Sequence, residues 1–487
     1  MDTKKMLEFM TKATQNPVLS PMLVKEIEKA LYKNIVTNNT KNLPAVQEKK
    51  YDFVSALINC LMKNIRKHDI SKEAIDKLVN IFAYDGMMSA NVEKQKANDS
   101  YIDKHGYNAP SFLVISPSQA CNLHCSGCYA CSDPHTSPHL SFDVTDRIVR
   151  EFRDITGGTF VVVSGGEPLM YKDGDKGLLD LFAKYPDMYF MFYTNSTLID
   201  KKTAARLAEL GNASPAISVE GYEAETDARR GKGTYAKILQ AFANLREVGV
   251  PFGVSVTSTS KNAELLLEDK FYDFYFEQQG ISYMWQFQFM PIGRGKDVFD
   301  LMVQPKDRVR LYREWEHQMH DKKHCVADFW NSGVLASGCV AYGGNGGYVY
   351  IDWNGNVMPC VFVPYYTDNI LKLYDEGKTL EDAYESTLMK NGRKWQNEYS
   401  LNDKMHSSNL LMPCSIRDHY LNFKKAILTD NTNGENEVAQ DIMSEEEYVK
   451  HFDDYDRELS DLTQPIWEKE YLKAEVKEKE KKAPGNN

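Results

Sequence analysis

The sequence predicts an α/β protein built on a partial (β/α)6 TIM-like barrel, with a helical N-terminal region and a small, irregular, cysteine-bearing C-terminal domain. Three observations predict it: six short β-rich runs lie between residues 112 and 289, helical patterns separate them, and the chain on either side has a different texture.

The runs span 112–116, 159–164, 189–193, 216–219, 252–257 and 285–289. Each is separated from the next by enough chain for a crossover, which is what parallel pairing requires. Between the first two, Val144, Ile148, Phe152 and Ile155 fall on one face of a helix. Six units fall short of the eight that close a full barrel, so the expected barrel is open, with a doubly wound sheet as the alternative. Both architectures put the site at the C-terminal ends of the strands.

The flanking regions follow from their own patterns. In the first ~100 residues Phe53, Val54, Leu57, Ile58, Leu61, Met62 and Ile65 share a helix face, and Ser71 is an N-cap for a helix carrying Ala74, Ile75, Leu78, Val79 and Phe82. Such helices read as accessory scaffold. Residues 330–425 are poor in helix signal and rich in glycine, aromatics and cysteine, which suggests a domain held together by metal. Past about 435 the chain is dominated by Glu, Asp and Lys, ending in the run 477–482, and reads as a solvated helix that frays. The expected divisions are 1–105, 106–300, 301–435 and 436–487.

Composition narrows the function. A charged share of 26% and an apolar share of 42% are those of a soluble protein, and no apolar run reaches the roughly 20 residues of a membrane span. The N-terminal residues 1–7 do not open a secretory signal, so a cytoplasmic location is expected. A net charge of −11 argues against broad affinity for nucleic acid. Nine cysteines, four of them between residues 121 and 131, suggest metal ligation in a reducing compartment.

Cys121, Cys125 and Cys128 stand at CxxxCxxC spacing directly after the first strand. Iron-sulfur clusters are normally held by four cysteines, so three leave one iron open to a substrate or cofactor. The alternative is a structural zinc, with His124 or Cys131 completing the ligands. Gly165, Gly166, Glu167 and Pro168 follow the second strand, where glycines let backbone approach a ligand closely.

The three cysteines after strand one and the Gly-Gly-Glu-Pro run after strand two resemble the radical S-adenosylmethionine (SAM) superfamily, over roughly 112–289. The resemblance implies a 4Fe-4S cluster on Cys121, Cys125 and Cys128 as the catalytic centre, with SAM chelated to the open iron. It implies that Gly165, Gly166, Glu167 and Pro168 contact the methionine amino group. Asn195 at the end of strand three, and Ser218 and Glu220 at the end of strand four, stand where the family places groups around the ribose and carboxylate of SAM. Arg229 or Arg230 matches a segment whose arginine pairs with that carboxylate, and residues 291–295 match a run seen in members with a C-terminal extension. This sequence departs from the family at Gly127, where an aromatic residue is usual; Tyr129 is the candidate to supply the adenine contact. Cys131 is an extra thiol, read as a buried apolar cysteine.

A second set, Cys339, Cys360 and Cys414, resembles the SPASM and twitch extensions and implies a second, auxiliary iron-sulfur cluster with a non-cysteine fourth ligand. Cys325 and His419 are further candidates. Tyr342, Tyr348, Asp352 and Asp418 in the same region read as hydrogen-bonding structure.

The resemblance implies reductive cleavage of SAM to a 5′-deoxyadenosyl radical that abstracts hydrogen from a peptide, protein or small molecule, with ferredoxin or flavodoxin as electron donor. Two alternatives stand beside it: modification of a lipid or isoprenoid, to which the Gly127 variant and the N-terminal helices point, and a non-enzymatic metal-stabilised binding protein.

Overall fold

A computed structural model describes residues 19–39, 42–67, 69–78, 80–81, 92–135, 138–344, 346–401 and 408–473. Six parallel strands follow one another across a sheet in chain order: β1 (Phe112–Ile115), β2 (Phe160–Val163), β3 (Tyr189–Thr194), β4 (Ala213–Val219), β5 (Gly253–Ser258) and β6 (Met284–Gln288). Each of the six expected runs overlaps one of these strands, and the fold is the predicted partial barrel. Their apolar residues are buried on both faces, as parallel strands covered by crossover helices require.

The sheet is wider than six strands. β7 (Val326–Asp328) adds in parallel beyond β6; at the other edge β8 (Tyr348–Ile351) pairs in parallel with β1, followed by antiparallel β9 (Asn356–Met358) and β10 (Asp368–Asn369). β7 and β10 are the outermost strands and do not pair, so the barrel stays open. The register Phe112↔Tyr348 continues to Ile115↔Ile351, which brings the second cysteine region beside the loop that follows β1.

Local sequence explains the helices. In α2 (Phe142–Thr156) the hydroxyl of Ser141 accepts from the backbone of Val144 at 3.3 Å, and Ile148, Val149 and Phe152 are buried. The long N-terminal helix α1 (Pro44–Arg66) docks on the barrel: the amide of Asn64 donates to the carbonyl of Gly280 at 2.9 Å and to the Ser282 hydroxyl at 3.1 Å. Ser71 caps its helix as expected, its hydroxyl accepting from Ala74 at 3.2 Å. Val79, Phe82 and residues 1–7 lie outside the described residues.

Two expectations need correction. The chain past 435 is not a solvated helix: α6 (Glu446–Ile466) buries Tyr448, Phe452, Tyr455, Leu459 and Thr463. The hydroxyls of Tyr448 and Tyr455 donate to the carbonyls of Pro291 and Val303, each at 3.1 Å. Its acidic face masked an apolar stripe at 3.6-residue spacing. The charged run 477–482 lies outside the described residues. Residues 330–425 also hold more helix than expected, including α3 (Ile370–Asp375), α4 (Leu380–Tyr384) and α5 (Thr387–Gln396). Side-chain oxygens of Asn369 and Ser386 cap the first and third, a signal present in the sequence.

Candidate active site

The site is a loop, residues 116–132, held by segments that leave the C-terminal ends of β2, β3, β4 and β6. Cys121 is buried, and Cys125 and Cys128 are half-buried. Burial pushes Cys121 up to about 12, and the neighbouring Cys125 and Cys128 push the same way, so the three thiols lie within electrostatic reach of one another. Burial also raises Cys125, opposed by Arg230 and Arg229. Thiols held protonated in this way give up their protons when a metal binds.

The segment after β2 packs backbone to backbone on this loop. The N–H of Gly166 donates to the Ser118 carbonyl at 3.1 Å and that of Glu167 to the Ala120 carbonyl at 2.8 Å. A Cβ at Gly166 would sit 2.2 Å from the Ala120 oxygen and 2.4 Å from the Gln119 oxygen. The close approach that requires glycine here is to the chain's own backbone. Glu167 is likewise engaged: it accepts from the Thr194 hydroxyl at 2.7 Å, Asn195 N–H at 2.8 Å and Leu169 N–H at 3.2 Å. Burial pushes its carboxyl up to about 7. It ties the β2 loop to the end of β3, and the adjoining Pro168 is buried.

Asn195 reaches the cysteines. Its amide donates to Asn122 at 2.8 Å and points at the Cys121 sulfur at 3.9 Å, while the Leu123 N–H approaches the same sulfur at 3.5 Å. Hydrogen bonds to sulfur tune an iron-sulfur centre. The Ser218 hydroxyl lies 3.5 Å from that of Ser255.

Glu220 is 3% exposed, and both arginines converge on one of its oxygens, Arg229 at 2.9 Å and Arg230 at 2.9 and 2.6 Å. Its other oxygen, Oε2, is buried with no hydrogen-bond partner among the described residues. Burial works against the Arg230 charge and Glu220 outweighs it, so the guanidinium is held above its usual range. Arg229 also clips the cysteine loop, donating from Nε to the Ser126 carbonyl at 3.2 Å and accepting from the Ser126 N–H at 3.1 Å.

The departure at Gly127 has a steric basis. Gly127 has φ +64°, and a Cβ there would lie 2.7 Å from the ring of Phe289, at the end of β6. Phe289 therefore fills the space beside the third cysteine. Tyr129 is anchored through its hydroxyl to Ser164 at 2.6 Å, with its ring centroid 6.4 Å from that of Phe362.

Residues 291–295 hold the same loop. The Arg294 N–H donates to the Cys128 carbonyl at 3.1 Å, and its guanidinium donates to the carbonyl of Ser132 at 2.6 Å and lies 3.4 Å from that of Cys125. This run clasps the cysteine loop. Cys131 is half-buried with φ +50° and lies within reach of Cys128.

The second set is also brought together. Burial pushes Cys339, Cys360 and Cys414 each up to about 12, with Cys360 adding to Cys339, Cys414 to Cys360 and Cys339 to Cys414. The Tyr348 hydroxyl donates to the Cys360 sulfur at 2.9 Å, and Asp418 accepts from the Cys414 N–H at 3.1 Å while pairing with buried Arg308 at 2.5 and 3.0 Å. Cys325 is elsewhere, its N–H 3.4 Å from the sulfur of Cys60 on α1. His419 engages the Met412 carbonyl through Nε2 at 2.9 Å.

These donors fit the implied groups. Three thiols on one loop, with N–H groups aimed at sulfur and two arginines alongside, suit an anionic cluster, and the orphaned Glu220 oxygen suits a hydroxyl donor such as a ribose. Among the described residues, no three His, Cys, Asp or Glu side chains form the close group that one metal ion takes. A cluster's cysteines bind separate irons and stand wider apart. No helix among the described residues is long and apolar enough to cross a membrane.

Comparison with known proteins agrees with this geometry. The pattern of the Radical SAM superfamily matches residues 115–260. Mycofactocin maturase MftC of Mycobacterium ulcerans is 31% identical over 271 residues, covering 53% of this chain and 70% of that protein. Fe-coproporphyrin III synthase of Methanosarcina barkeri is 28% identical over 215 residues, covering 43% of this chain and 52% of the synthase, so the chain spans only about half of that relative's length. The crystal structure of Streptococcus suis SuiB bound to precursor peptide SuiA superposes on 73% of this chain and 81% of SuiB, with TM-score 0.53 and 22% identity, which is a likeness of fold.

Proposed function

The chain belongs to the radical SAM superfamily, and on that premise we propose that it modifies a peptide or protein by abstracting hydrogen from an unactivated carbon. The cofactors of the family are a 4Fe-4S cluster and SAM. When bound, they supply reductive cleavage of SAM to methionine and a 5′-deoxyadenosyl radical, with the electron coming from a ferredoxin or flavodoxin.

The chain's own residues bind, orient and exclude water. Cys121, Cys125 and Cys128 would hold the cluster; Asn195 and Leu123 would steady its first sulfur. Glu220 is the group that would accept from a hydroxyl of SAM, through the one oxygen its arginines leave free. Arg229 and Arg294 each hold the loop through its backbone carbonyls, which would keep the three thiols in register. Glu167 positions the end of β3 rather than touching SAM through its carboxylate. Cys339, Cys360 and Cys414 would carry an auxiliary cluster.

The observation that carries this reading is the buried, unpartnered Glu220 oxygen at the end of β4, on the same rim as the three-thiol loop. A peptide or protein substrate is supported by MftC being a maturase. The test is anaerobic reconstitution followed by dithionite and SAM, with 5′-deoxyadenosine and methionine quantified. Formation of both by the wild type and by neither Cys121→Ala nor Cys125→Ala is expected; turnover in the variants equal to wild type contradicts the reading.

A further inference from the structure

Tyr348 opens β8, and the fold fixes it from both ends of the second cysteine set. Its N–H donates to the Val340 carbonyl at 2.8 Å and its carbonyl accepts from the Gly343 N–H at 2.9 Å, which ties it to the segment just after Cys339. The Tyr342 N–H donates to the Pro359 carbonyl at 3.2 Å, so the same segment is fastened to the residue before Cys360. Across the sheet Tyr348 stands opposite Phe112 of β1, and the two rings stack with centroids 4.8 Å apart and planes 22° from parallel. Held in this way, the side chain is 3% exposed and puts its O–H 2.9 Å from the Cys360 sulfur, which also lies 3.4 Å from the Phe362 N–H.

The choice of acceptor carries the inference. A buried tyrosine hydroxyl takes a hydrogen-bond partner, and a neutral thiol is a weak one. A cysteine bound to iron is a thiolate, and a hydrogen bond to an ionised acceptor is roughly twice as strong as one between neutral groups. Tyr350, two residues on and therefore on the same face of β8, meets a hydroxyl instead: its O–H donates to Ser116 Oγ at 2.9 Å. Of these two buried phenols, Tyr348 is the one whose O–H bears on the charge of the second cysteine set.

We propose that Tyr348 is a positioning residue that sets the potential of the auxiliary cluster through its hydrogen bond to Cys360. The proposal rests on the reading of Cys339, Cys360 and Cys414 as ligands of that cluster and deepens it, naming a residue that governs how readily the cluster is reduced. Reduction adds one electron, supplied in the test by dithionite, and no bond forms or breaks. The added negative charge strengthens the hydrogen bond to sulfur, so the Tyr348 O–H favours the reduced state and its loss makes reduction harder.

The test uses the full chain with Cys121, Cys125 and Cys128 replaced by Ala, so that only the auxiliary cluster is loaded, reconstituted anaerobically and followed by EPR as the potential is lowered with dithionite. Tyr348→Phe keeps the ring stack and removes the O–H; it is expected to lower the equilibrium constant for reduction about tenfold, which for one electron is a midpoint about 59 mV more negative. Tyr350→Phe, which removes the hydroxyl bonded to Ser116, leaves the midpoint where it was. 3-Fluorotyrosine introduced at position 348 is a stronger donor and moves the midpoint positive, a readout that stands even where the Phe variant fails to hold its cluster. An unchanged or more positive midpoint in Tyr348→Phe, an equal shift in Tyr350→Phe, or an unmoved midpoint with 3-fluorotyrosine overturns the assignment to Tyr348. Iron analysis precedes the potentials: a parent protein without iron overturns the auxiliary cluster itself and the proposal with it, whereas a loaded parent whose midpoint ignores position 348 overturns the proposal alone.

Discussion

Arg230 donates two hydrogen bonds, at 2.9 and 2.6 Å, to a single oxygen of Glu220, and the other oxygen of that carboxylate is buried without a hydrogen-bond partner among the described residues. Charge-assisted hydrogen bonds are worth about 1.5–3 kcal/mol, and each ~1.4 kcal/mol is a factor of ten in affinity. Glu220→Gln is therefore expected to weaken SAM binding by at least about tenfold while the iron content stays at the wild-type level, read by equilibrium dialysis on reconstituted protein. Undiminished SAM affinity removes Glu220 from the binding site.

The glycines at the site make a steric prediction. In Gly166→Ala the new methyl meets two backbone oxygens that no side-chain rotation can relieve, and in Gly127→Ala it meets the Phe289 ring at a positive φ. Overpacking of this kind costs typically 1–3 kcal/mol. Both variants should unfold at lower denaturant, and Gly166→Ala should retain less iron after reconstitution, because its clash is with the residues that lead into Cys121. A Gly166→Ala protein with full iron and unchanged stability contradicts the packing described.

Asp456 predicts a pH dependence. Burial, with Asp418 adding, pushes its carboxyl up to about 8, and its Oδ1 is buried without a partner among the described residues. The unfolded carboxyl titrates near 3.9, so between roughly pH 4 and 8 the folded state holds a proton that the unfolded state releases, and stability falls as pH rises through that window. Asp456→Asn removes this titration. Its Tm advantage over wild type should be larger at pH 8 than at pH 6; an advantage that shrinks with pH reverses the sign argued here.

The C-terminal helix α6 is structural. Phe452→Ala, which empties a fully buried position, should cost about 3–5 kcal/mol in chemical denaturation, whereas Glu458→Ala on the exposed face should stay within about 0.5 kcal/mol. Equal, small effects would return this helix to the solvated tail expected from its composition.

The contrast between these residues explains what could be read in advance. The six barrel strands were legible because parallel strands buried on both faces leave continuous apolar runs, and Cys121, Cys125 and Cys128 because their spacing lies within one loop. α6 was hidden because its many acidic residues mask a stripe visible only at helical period. The docking of β8 beside β1 and the Phe289 ring over Gly127 were not legible, since each joins segments more than 150 residues apart or depends on a backbone angle. Gly166 was singled out for the lack of a side chain, and one surface that requires it, the backbone of Gln119 and Ala120, comes from the chain itself.

The most direct test of the central claim is iron and sulfide content together with EPR on anaerobically reconstituted protein, with and without SAM, for the wild type and a Cys121/Cys125/Cys128→Ala triple variant. The expected result is about eight irons per chain in the wild type and about four in the variant, with a cluster signal that SAM perturbs only in the wild type. Stoichiometric zinc without iron, or a SAM-perturbed signal that survives in the triple variant, contradicts it.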